Sequence, residues 1–291
     1  MSSRVAAPSP ARRSREPSGT ALYLLAGTII SAIFVLPLLW EVLRSVEAPG
    51  TIVEPASLKS FTDLSFHNYT KLLRGDHILH NVVNSLIVAT ATAALTAVVA
   101  TLAGYGFGRF QFRGSGLAFA LVLLAFLVPF QAVLTPLFLE LHDFGLLNSL
   151  VGLALFYTAF NLPFGTYLMR NTFLQIPNEI TDAAKVDGAS VLMTLTRVLR
   201  PLVIPGIATT ILYAFLFSWT EFLGALTFTT QDSVYTLPVA LANVESSDTY
   251  GSIDFGVLVA GAVIAMIPCV IIYVALQRYY VRGLVSGAVK G

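Results

Sequence analysis

Long apolar runs separated by short polar stretches dominate the pattern of this chain. Because about 20 consecutive apolar residues cross the hydrocarbon core of a bilayer as a helix, each run of that length predicts a membrane span. Six spans are predicted, over residues 21–40, 82–107, 116–138, 148–168, 202–226 and 255–277. The pattern therefore predicts an all-α, polytopic membrane protein with six transmembrane helices.

Composition agrees with this class. Hydrophobic residues make up 56% of the chain, charged residues 11%, and the mean hydropathy is +0.77, whereas about a quarter of the residues of a soluble domain are charged. The net charge is +1, and no basic run with interleaved aromatic residues occurs. We therefore expect no nucleic-acid partner.

Residues 1–18 are rich in Ser, Pro, Ala and Arg and lack apolar periodicity, which predicts a disordered tail. No clear small-residue cleavage site follows the first apolar run, so that run is interpreted as a retained span rather than a secretory signal. Residues 19–291 then form one transmembrane domain. Placing the N-terminus in the cytoplasm puts 13 of the 17 Lys and Arg residues on the cytoplasmic side, which predicts that both termini are cytoplasmic.

The loop between the fifth and sixth predicted spans carries acidic residues and no basic ones, as expected for an external loop. Its central segment LPVALANV, residues 237–244, is apolar. It either docks on a partner or lies on the bundle as a re-entrant or interfacial helix, and the sequence favours neither alternative.

Motifs of catalysis and metal binding are missing from the sequence. It contains no G-x-x-x-x-G-K-[ST], no H-E-x-x-H, no G-x-S-x-G and no Cys/His cluster with metal spacing, so no catalytic, cofactor or metal site is predicted. The glycines of AGYGFGRF, residues 103–110, end a predicted span. Gly104 and Gly108 have the G-x-x-x-G spacing, which favours close packing of two helices over a phosphate loop.

The stretch ITDAAKVDGASVLMTLTRVLRP, residues 180–201, is unusually charged for this chain. Pro177 suits the first turn of a helix, and the Asp187-Gly188 pair is expected to end that helix, with Asp capping the next one. A second amphipathic helix is predicted to run until Pro201 breaks it. The first helix has an apolar face made of Ile176, Ile180, Ala183 and Ala184.

Two methyl-sized side chains on an exposed face allow another protein's backbone to approach closely. Asp182 and Lys185 at the rim are suited to fix its orientation by polar contacts. The alternative is a helix that lies among lipid headgroups. Such helices usually have large apolar anchors and a strongly basic face, and this segment has neither.

The segment DAAKVDGAS, residues 182–190, resembles the E-A-A-x-x-D-G-A loop of permease subunits of ATP-binding cassette importers. The similarity is to the carbohydrate branch of the maltose-permease type. Three further runs are similar to that family in the same order, at residues 84–114, 128–155 and 277–291. The chain departs from the family pattern at Asp182, where Glu is usual, and at Arg200, where leucine is common.

This resemblance implies a coupling loop over residues 176–201 that docks on a separate ATPase subunit. The implied docking residues are Asp182, Ala183, Ala184, Asp187 and Gly188. The implied partners are a second homologous permease, an ATP-binding cassette ATPase dimer, an extracytoplasmic solute-binding protein and a sugar. ATP would be used by the partner, so no cofactor is expected on this chain, and the expected location is a bacterial cell membrane.

Glu221 is the one acidic residue inside a predicted span. A charge near the bilayer centre costs about 2.5–3.5 kcal/mol on insertion scales, so it normally faces water or a partner. Trp219 offers an aromatic face to a sugar ring, and both residues are candidates for the substrate pathway. In the family a Trp-Asn-x-Phe-Leu segment lies here, with Thr220 in place of Asn. The alternative is that Glu221 is solvated near the external end or bonds a neighbouring helix.

Three functions are consistent with these features. The first is the permease subunit of an ATP-driven sugar importer, and the second is a six-span transporter for another solute that no ATPase drives. The third is a membrane-embedded enzyme, which would need paired catalytic groups where only Glu221 is available. The sequence does not identify the sugar.

Overall fold

The computed structural model describes residues 17–48, 64–74, 77–246 and 254–288. Residues 1–16 of the predicted tail 1–18 lie outside these ranges, whereas its last two residues, Pro17 and Ser18, already belong to the first helix, so the predicted tail is two residues too long. Within them the chain is built from helices. They are α1 (Pro17–Ser45), α2 (His67–Arg74), α3 (Ile78–Arg109), α4 (Ser115–Leu124), α5 (Phe130–Asp143), α6 (Leu150–Leu174), α7 (Asn178–Val186), α8 (Val191–Met193), α9 (Arg200–Thr220), α10 (Leu223–Phe228), α11 (Leu237–Ser246) and α12 (Phe255–Ala288).

Four stretches in the described part of the chain are long and apolar enough to cross a membrane: Ala21–Ser45, Ile78–Arg109, Val191–Thr220 and Phe255–Tyr279. They correspond to the first, second, fifth and sixth predicted spans. The fourth predicted span is α6, which has 25 residues but is less apolar than these four because polar residues such as Asn161 and Arg170 interrupt it. The all-α membrane class is confirmed, whereas the number of six spans stays a prediction.

The third predicted span, residues 116–138, is not one straight helix. α4 and a short 3-10 turn end at Leu127, α5 begins at Phe130, and the two parts are bent by 100°. Pro129 lies at the break and lacks the backbone N–H that would continue the helix. Its ring also forces the preceding Val128 into an extended conformation, with φ −77° and ψ 116°. A break at a proline therefore replaces the predicted continuous helix.

The predicted break at Pro201 is wrong. The helical chain continues from Val191 to Thr220, through a π-helical segment at Thr194–Leu199. In this wider turn the N–H of Arg200 donates to the carbonyl of Leu195, five residues back. A widened turn relieves the clash between a proline ring and the preceding turn, so Pro201 lies in the first turn of α9 without stopping the helix.

The core lies where α3, α6 and α9 cross. A Cβ on Gly165 of α6 would lie 2.9 Å from the Cβ of Ala100 on α3 and 3.2 Å from Cγ2 of Thr210 on α9. Ala89, Ala93 and Ala97 on α3 are also buried. Small residues let membrane helices approach closely. The end of this bundle that carries α7 is called here the loop end, and the opposite end is called the far end.

At the far end, polar side chains of α3 hold the chain that precedes α11. The amide groups of Asn81 and Asn84 each donate to the carbonyl of Tyr235 at 3.0 Å, and Ser85 Oγ accepts from the N–H of Leu237 at 2.8 Å. Leu237 and Val239 of α11 are fully buried. The segment LPVALANV is therefore a helix packed on its own bundle, the second of the two alternatives.

An ion pair joins α2 to the start of α12 at the far end. Lys71 Nζ lies 2.6 Å from Asp254 Oδ2, and Asp254 Oδ1 accepts from the N–H of Val257 in the first turn of α12. Burial raises the pKa of the Asp254 carboxyl. The bonds from Lys71 and from backbone N–H groups lower that pKa by a larger amount. The net pKa lies below the usual value.

Candidate functional site

α7 forms the predicted helix of the charged loop. It begins at Asn178, one residue after Pro177, and ends at Val186, with Asp187 as its C-cap. Gly188 has φ +77°, a left-handed conformation that glycine adopts without strain. Its N–H donates to the carbonyl of Lys185 at 3.0 Å. The predicted helix end at Asp187-Gly188 is confirmed. The cap of the following helix is Ser190, which accepts from the N–H of Met193, and not Asp187 as expected.

The two alanines of α7 face in different directions. Ala184 is only 6% exposed and packs against the bundle, whereas Ala183 is exposed. Successive residues of a helix point about 100° apart, and Ile180 shares its face with Ala184 rather than with Ala183. The predicted common face of Ile180, Ala183 and Ala184 is wrong, because the helix turns Ala183 away from the bundle.

Asp182 and Lys185 are both exposed and form an ion pair across one turn, with 2.8 Å between Lys185 Nζ and Asp182 Oδ1. Exposed pairs of this kind contribute little to stability. Both groups remain accessible to a partner, as expected for a polar rim.

Val186 is a surface residue that the sequence analysis missed. It is 87% exposed and lies three residues after Ala183, on the same side of α7. An exposed large apolar residue beside a small one suits a contact with another protein. Val186 lies on the side of α7 away from Ile180, and this position in the helix could have indicated its exposure. The residues that form the exposed loop surface are Asp182, Ala183, Val186, Asp187 and Gly188.

Glu221 does not lie inside a span. α9 ends at Thr220, and Glu221 has an extended backbone with ψ 131°. Its carboxylate accepts from the N–H of Gly224 at 2.9 Å and of Ala225 at 3.3 Å, in the first turn of α10. Oε2 also accepts a hydrogen bond from the hydroxyl of Tyr157 on α6. Glu221 therefore caps α10 and links it to α6. This is the alternative in which Glu221 bonds a neighbouring helix.

Trp219 is buried, with 2% of its surface exposed. Its indole N–H donates to the carbonyl of Ala265 on α12 at 3.0 Å, and its ring stacks on Phe215 with 6.0 Å between centroids. It borders a cavity of 510 Å³ between α1, α9, α11 and α12, whose lining is almost entirely apolar. Sugar recognition needs hydrogen-bonding groups beside an aromatic face, and this cavity offers few.

The two groups of predicted site residues lie at opposite ends of the bundle. Trp219 lies in the last turn of the 21-residue helix α9, Glu221 directly follows that helix, and α7 precedes it. At 1.5 Å per residue, α9 alone separates them by about 30 Å. They are therefore two separate places, an exposed loop surface at the loop end and a hydrogen-bonded helix break at the far end.

The long apolar helices of the described residues, with an exposed and charged loop at one end, define the class of polytopic helical membrane proteins. Residues 97–286 match the family described as the inner membrane component of binding-protein-dependent transport systems. The chain belongs to this family and is a multi-pass inner-membrane permease subunit rather than an enzyme. Of the three functional hypotheses, the permease is confirmed.

Related proteins agree with this assignment. The chain is 33% identical to the trehalose transport system permease protein SugB of Mycobacterium tuberculosis, over 91% of this chain and 95% of that protein. It is 32% identical to the trehalose/maltose transport system permease protein MalG of Thermococcus litoralis, over 93% and 97%. A solved bacterial ABC transporter involved in the import of alginate has the same fold, with a TM-score of 0.74 and 23% identity, over 94% of this chain and 100% of that one.

Proposed function

We propose that this chain is the permease subunit of an ATP-driven, binding-protein-dependent carbohydrate importer. It pairs with a second homologous permease. Each of the two permeases forms half of the translocation pathway, and this chain contributes six spans. A separate ATP-binding cassette ATPase dimer supplies the energy, and an extracytoplasmic solute-binding protein delivers the sugar. Both termini and α7 lie in the cytoplasm.

The observation that carries this proposal is the exposed loop surface. Asp182, Ala183 and Val186 are exposed on the side of α7 that faces away from the bundle. A small, a branched apolar and a charged side chain side by side suit a contact with an apolar centre and a polar rim. We therefore assign ATPase docking to this surface, together with Asp187 and Gly188, and give Ala184 the role of holding α7 on the bundle.

Trp219 and Glu221 support the pathway through structure rather than through direct contact with sugar. Trp219 bonds α12, and Glu221 bonds α6 and α10. Movement of α9 between two states would therefore move these neighbours with it. We propose that both residues fix the wall of the pathway at the far end.

The names of several relatives support a size class for the sugar. Curated relatives at 30–33% identity are named for trehalose, diacetylchitobiose and arabinooligosaccharides. Each of these is a disaccharide or a longer oligosaccharide. We propose a substrate of the same size class for this chain.

Site-specific cross-linking tests the docking. The only cysteine, Cys269, is replaced by serine, and a new cysteine is placed at Ala183 or, as matched control, at the buried Ala184. A short cross-linker is applied in membranes, and the captured protein is identified by mass spectrometry. We expect Ala183→Cys to capture a protein with a Walker A sequence and Ala184→Cys to capture little.

Reconstitution tests the transport function. The complex purified through this chain is placed in proteoliposomes with its binding protein, and ATP hydrolysis is measured with trehalose, maltose and a chitobiose. A rise in hydrolysis with one loaded binding protein supports the proposal. Capture of no nucleotide-hydrolysing protein from Ala183→Cys, or labelling of that cysteine from the external side only, contradicts it.

A further inference from the structure

Arg109, the last residue of α3, joins that helix to the start of α7. One terminal nitrogen of its guanidinium donates to Oδ1 of Asn178 at 2.6 Å, and the other donates to the carbonyl of Ile176 at 2.7 Å. These acceptors lie on the two sides of Pro177, so one side chain spans the corner between α6 and α7. The donors of a guanidinium form a rigid planar fork, so the two bonds fix both the distance and the direction of this corner.

The backbones of α3 and α6 touch directly beside this corner. A Cβ on Gly104 would lie 2.5 Å from the Cβ of Met169 and 2.7 Å from the N of Arg170. A Cβ on Gly108 would lie 3.1 Å from the Cβ of Phe173. The predicted close packing of Gly104 and Gly108 is confirmed, and it leaves no room for sliding between the two helix ends. The ends of α3 and α6 therefore reach the corner as one unit.

α7 is otherwise held by packing. Ile180 and Ala184 contact the bundle, and within the described ranges no other side-chain hydrogen bond links α7 to a membrane helix. Apolar contacts are non-directional, so they keep α7 against the bundle without fixing its tilt. The two bonds of Arg109 supply the missing direction.

We propose that Arg109 is a positioning residue that transmits movement of α7 to the paired helices α3 and α6. This inference rests on the proposed docking of α7 on an ATPase subunit. A displacement of the α7 start pulls on Asn178 and Ile176, and the guanidinium carries that pull into the end of α3. Without Arg109, α7 stays docked by its exposed surface, but its motion is passed on less completely.

The expected signature is a loss of coupling rather than of binding. In the reconstituted complex with its partner permease, ATPase and binding protein, sugar transported per ATP hydrolysed is measured. Arg109→Ala is expected to lower this ratio about tenfold, because it removes both hydrogen bonds from a charged group to the corner. Arg109→Lys restores only part of it, because an ammonium lacks the planar fork. The matched control is Arg113→Ala, an exposed arginine four residues on, and it leaves the ratio unchanged.

The exposed partner provides a variant that does not threaten folding. Asn178→Leu removes one acceptor on the surface and is expected to lower the ratio severalfold. The double variant with Arg109→Ala is expected to be no worse than Arg109→Ala alone, since both changes remove the same contact. Independent, additive losses would overturn the proposal.

Cross-linking from Ala183→Cys separates this inference from the docking itself. Capture of the ATPase in the Arg109→Ala variant together with a lowered ratio supports the inference. Capture with an unchanged ratio overturns it while the docking stands. Absence of capture with Arg109 intact contradicts the docking and the inference together.

Discussion

The loop at α7 and the helix break at Glu221 both place acidic residues within an apolar sequence. The acidic groups differ in their exposure and in their bonding partners. Asp182 and Asp187 are exposed, and Asp182 forms an ion pair with the neighbouring exposed Lys185. The Glu221 carboxylate accepts bonds from α10 and from Tyr157. A charge in an apolar sequence thus marks an interaction in both places. At Glu221 the partners keep the interaction within the fold, whereas the exposure of the α7 charges suits the docking that we propose.

The largest expected effect is at the turn that ends α7. Gly188→Asp is expected to abolish sugar uptake while the protein still inserts, because it adds a carboxylate beside Asp187 on the exposed loop surface. The matched control is Gly188→Asn, since Asn and Asp both tolerate the left-handed conformation that costs other residues about 1–2 kcal/mol. Uptake is measured in cells against the amount of protein in the membrane. If Gly188→Asp transports as well as the unchanged protein, the loop does not couple transport.

The next effect separates the two alanines. Ala183→Leu is expected to reduce uptake strongly with stability unchanged within about 0.5 kcal/mol, because the new side chain protrudes into the docking contact. Ala184→Leu is expected to destabilise the protein by about 1–3 kcal/mol by overpacking. Uptake and thermal unfolding in detergent distinguish them. Equal behaviour of the two variants would mean that the exposure of Ala183 has no functional meaning.

An intermediate effect is expected at the far end. Glu221→Ala leaves the N–H of Gly224 and the hydroxyl of Tyr157 without their acceptor, which costs about 1–3 kcal/mol. A double-mutant cycle with Tyr157→Phe measures the shared part as a coupling in unfolding free energy. Glu221→Gln keeps an acceptor and is expected to retain most uptake. Loss of uptake in a stable Glu221→Gln protein would instead favour direct contact with substrate.

The smallest effect is expected for Asp254→Asn, which removes the ion pair with Lys71. Because these side chains are 31% and 52% exposed, the loss should stay below about 1 kcal/mol. The pKa of Asp254 is lower in the folded protein, so its contribution is complete above the unfolded pKa and is lost as the pH falls through the folded value. Unfolding curves of the two proteins should therefore differ at neutral pH and converge in acid. A difference that grows as the pH falls would contradict this assignment.

Much of the helix pattern follows from local sequence. The second predicted span, 82–107, lies within the observed Ile78–Arg109, because a long apolar run needs no distant partner to be recognised. The end of α7 was also predictable, since Gly188 marks a left-handed residue. The class of protein and the position of its exposed loop were therefore available from the chain alone.

The remaining features depend on contacts that the sequence does not display. The break at Glu221 lies in a continuous apolar run, and its hydroxyl partner Tyr157 is 64 residues away. Which of Ala183 and Ala184 is buried depends on which side of α7 packs on the bundle. If the buried face is predicted one residue too early, the exposed and the buried alanine are exchanged. Arg109 does not stand out in the sequence, because basic residues are common where a span meets the cytoplasm.

The widened π turn at Thr194–Leu199 makes one continuous rod of the chain from Val191 to Thr220. Thirty residues at 1.5 Å each give a lever about 45 Å long, with the corner after Gly188 at one end and the Trp219 anchor at the other. A small tilt of the helix at its Val191 end produces a sideways displacement at its Thr220 end. Had Pro201 cut this rod, a tilt at the loop end would have reached Trp219 only through the packing of two separate helices.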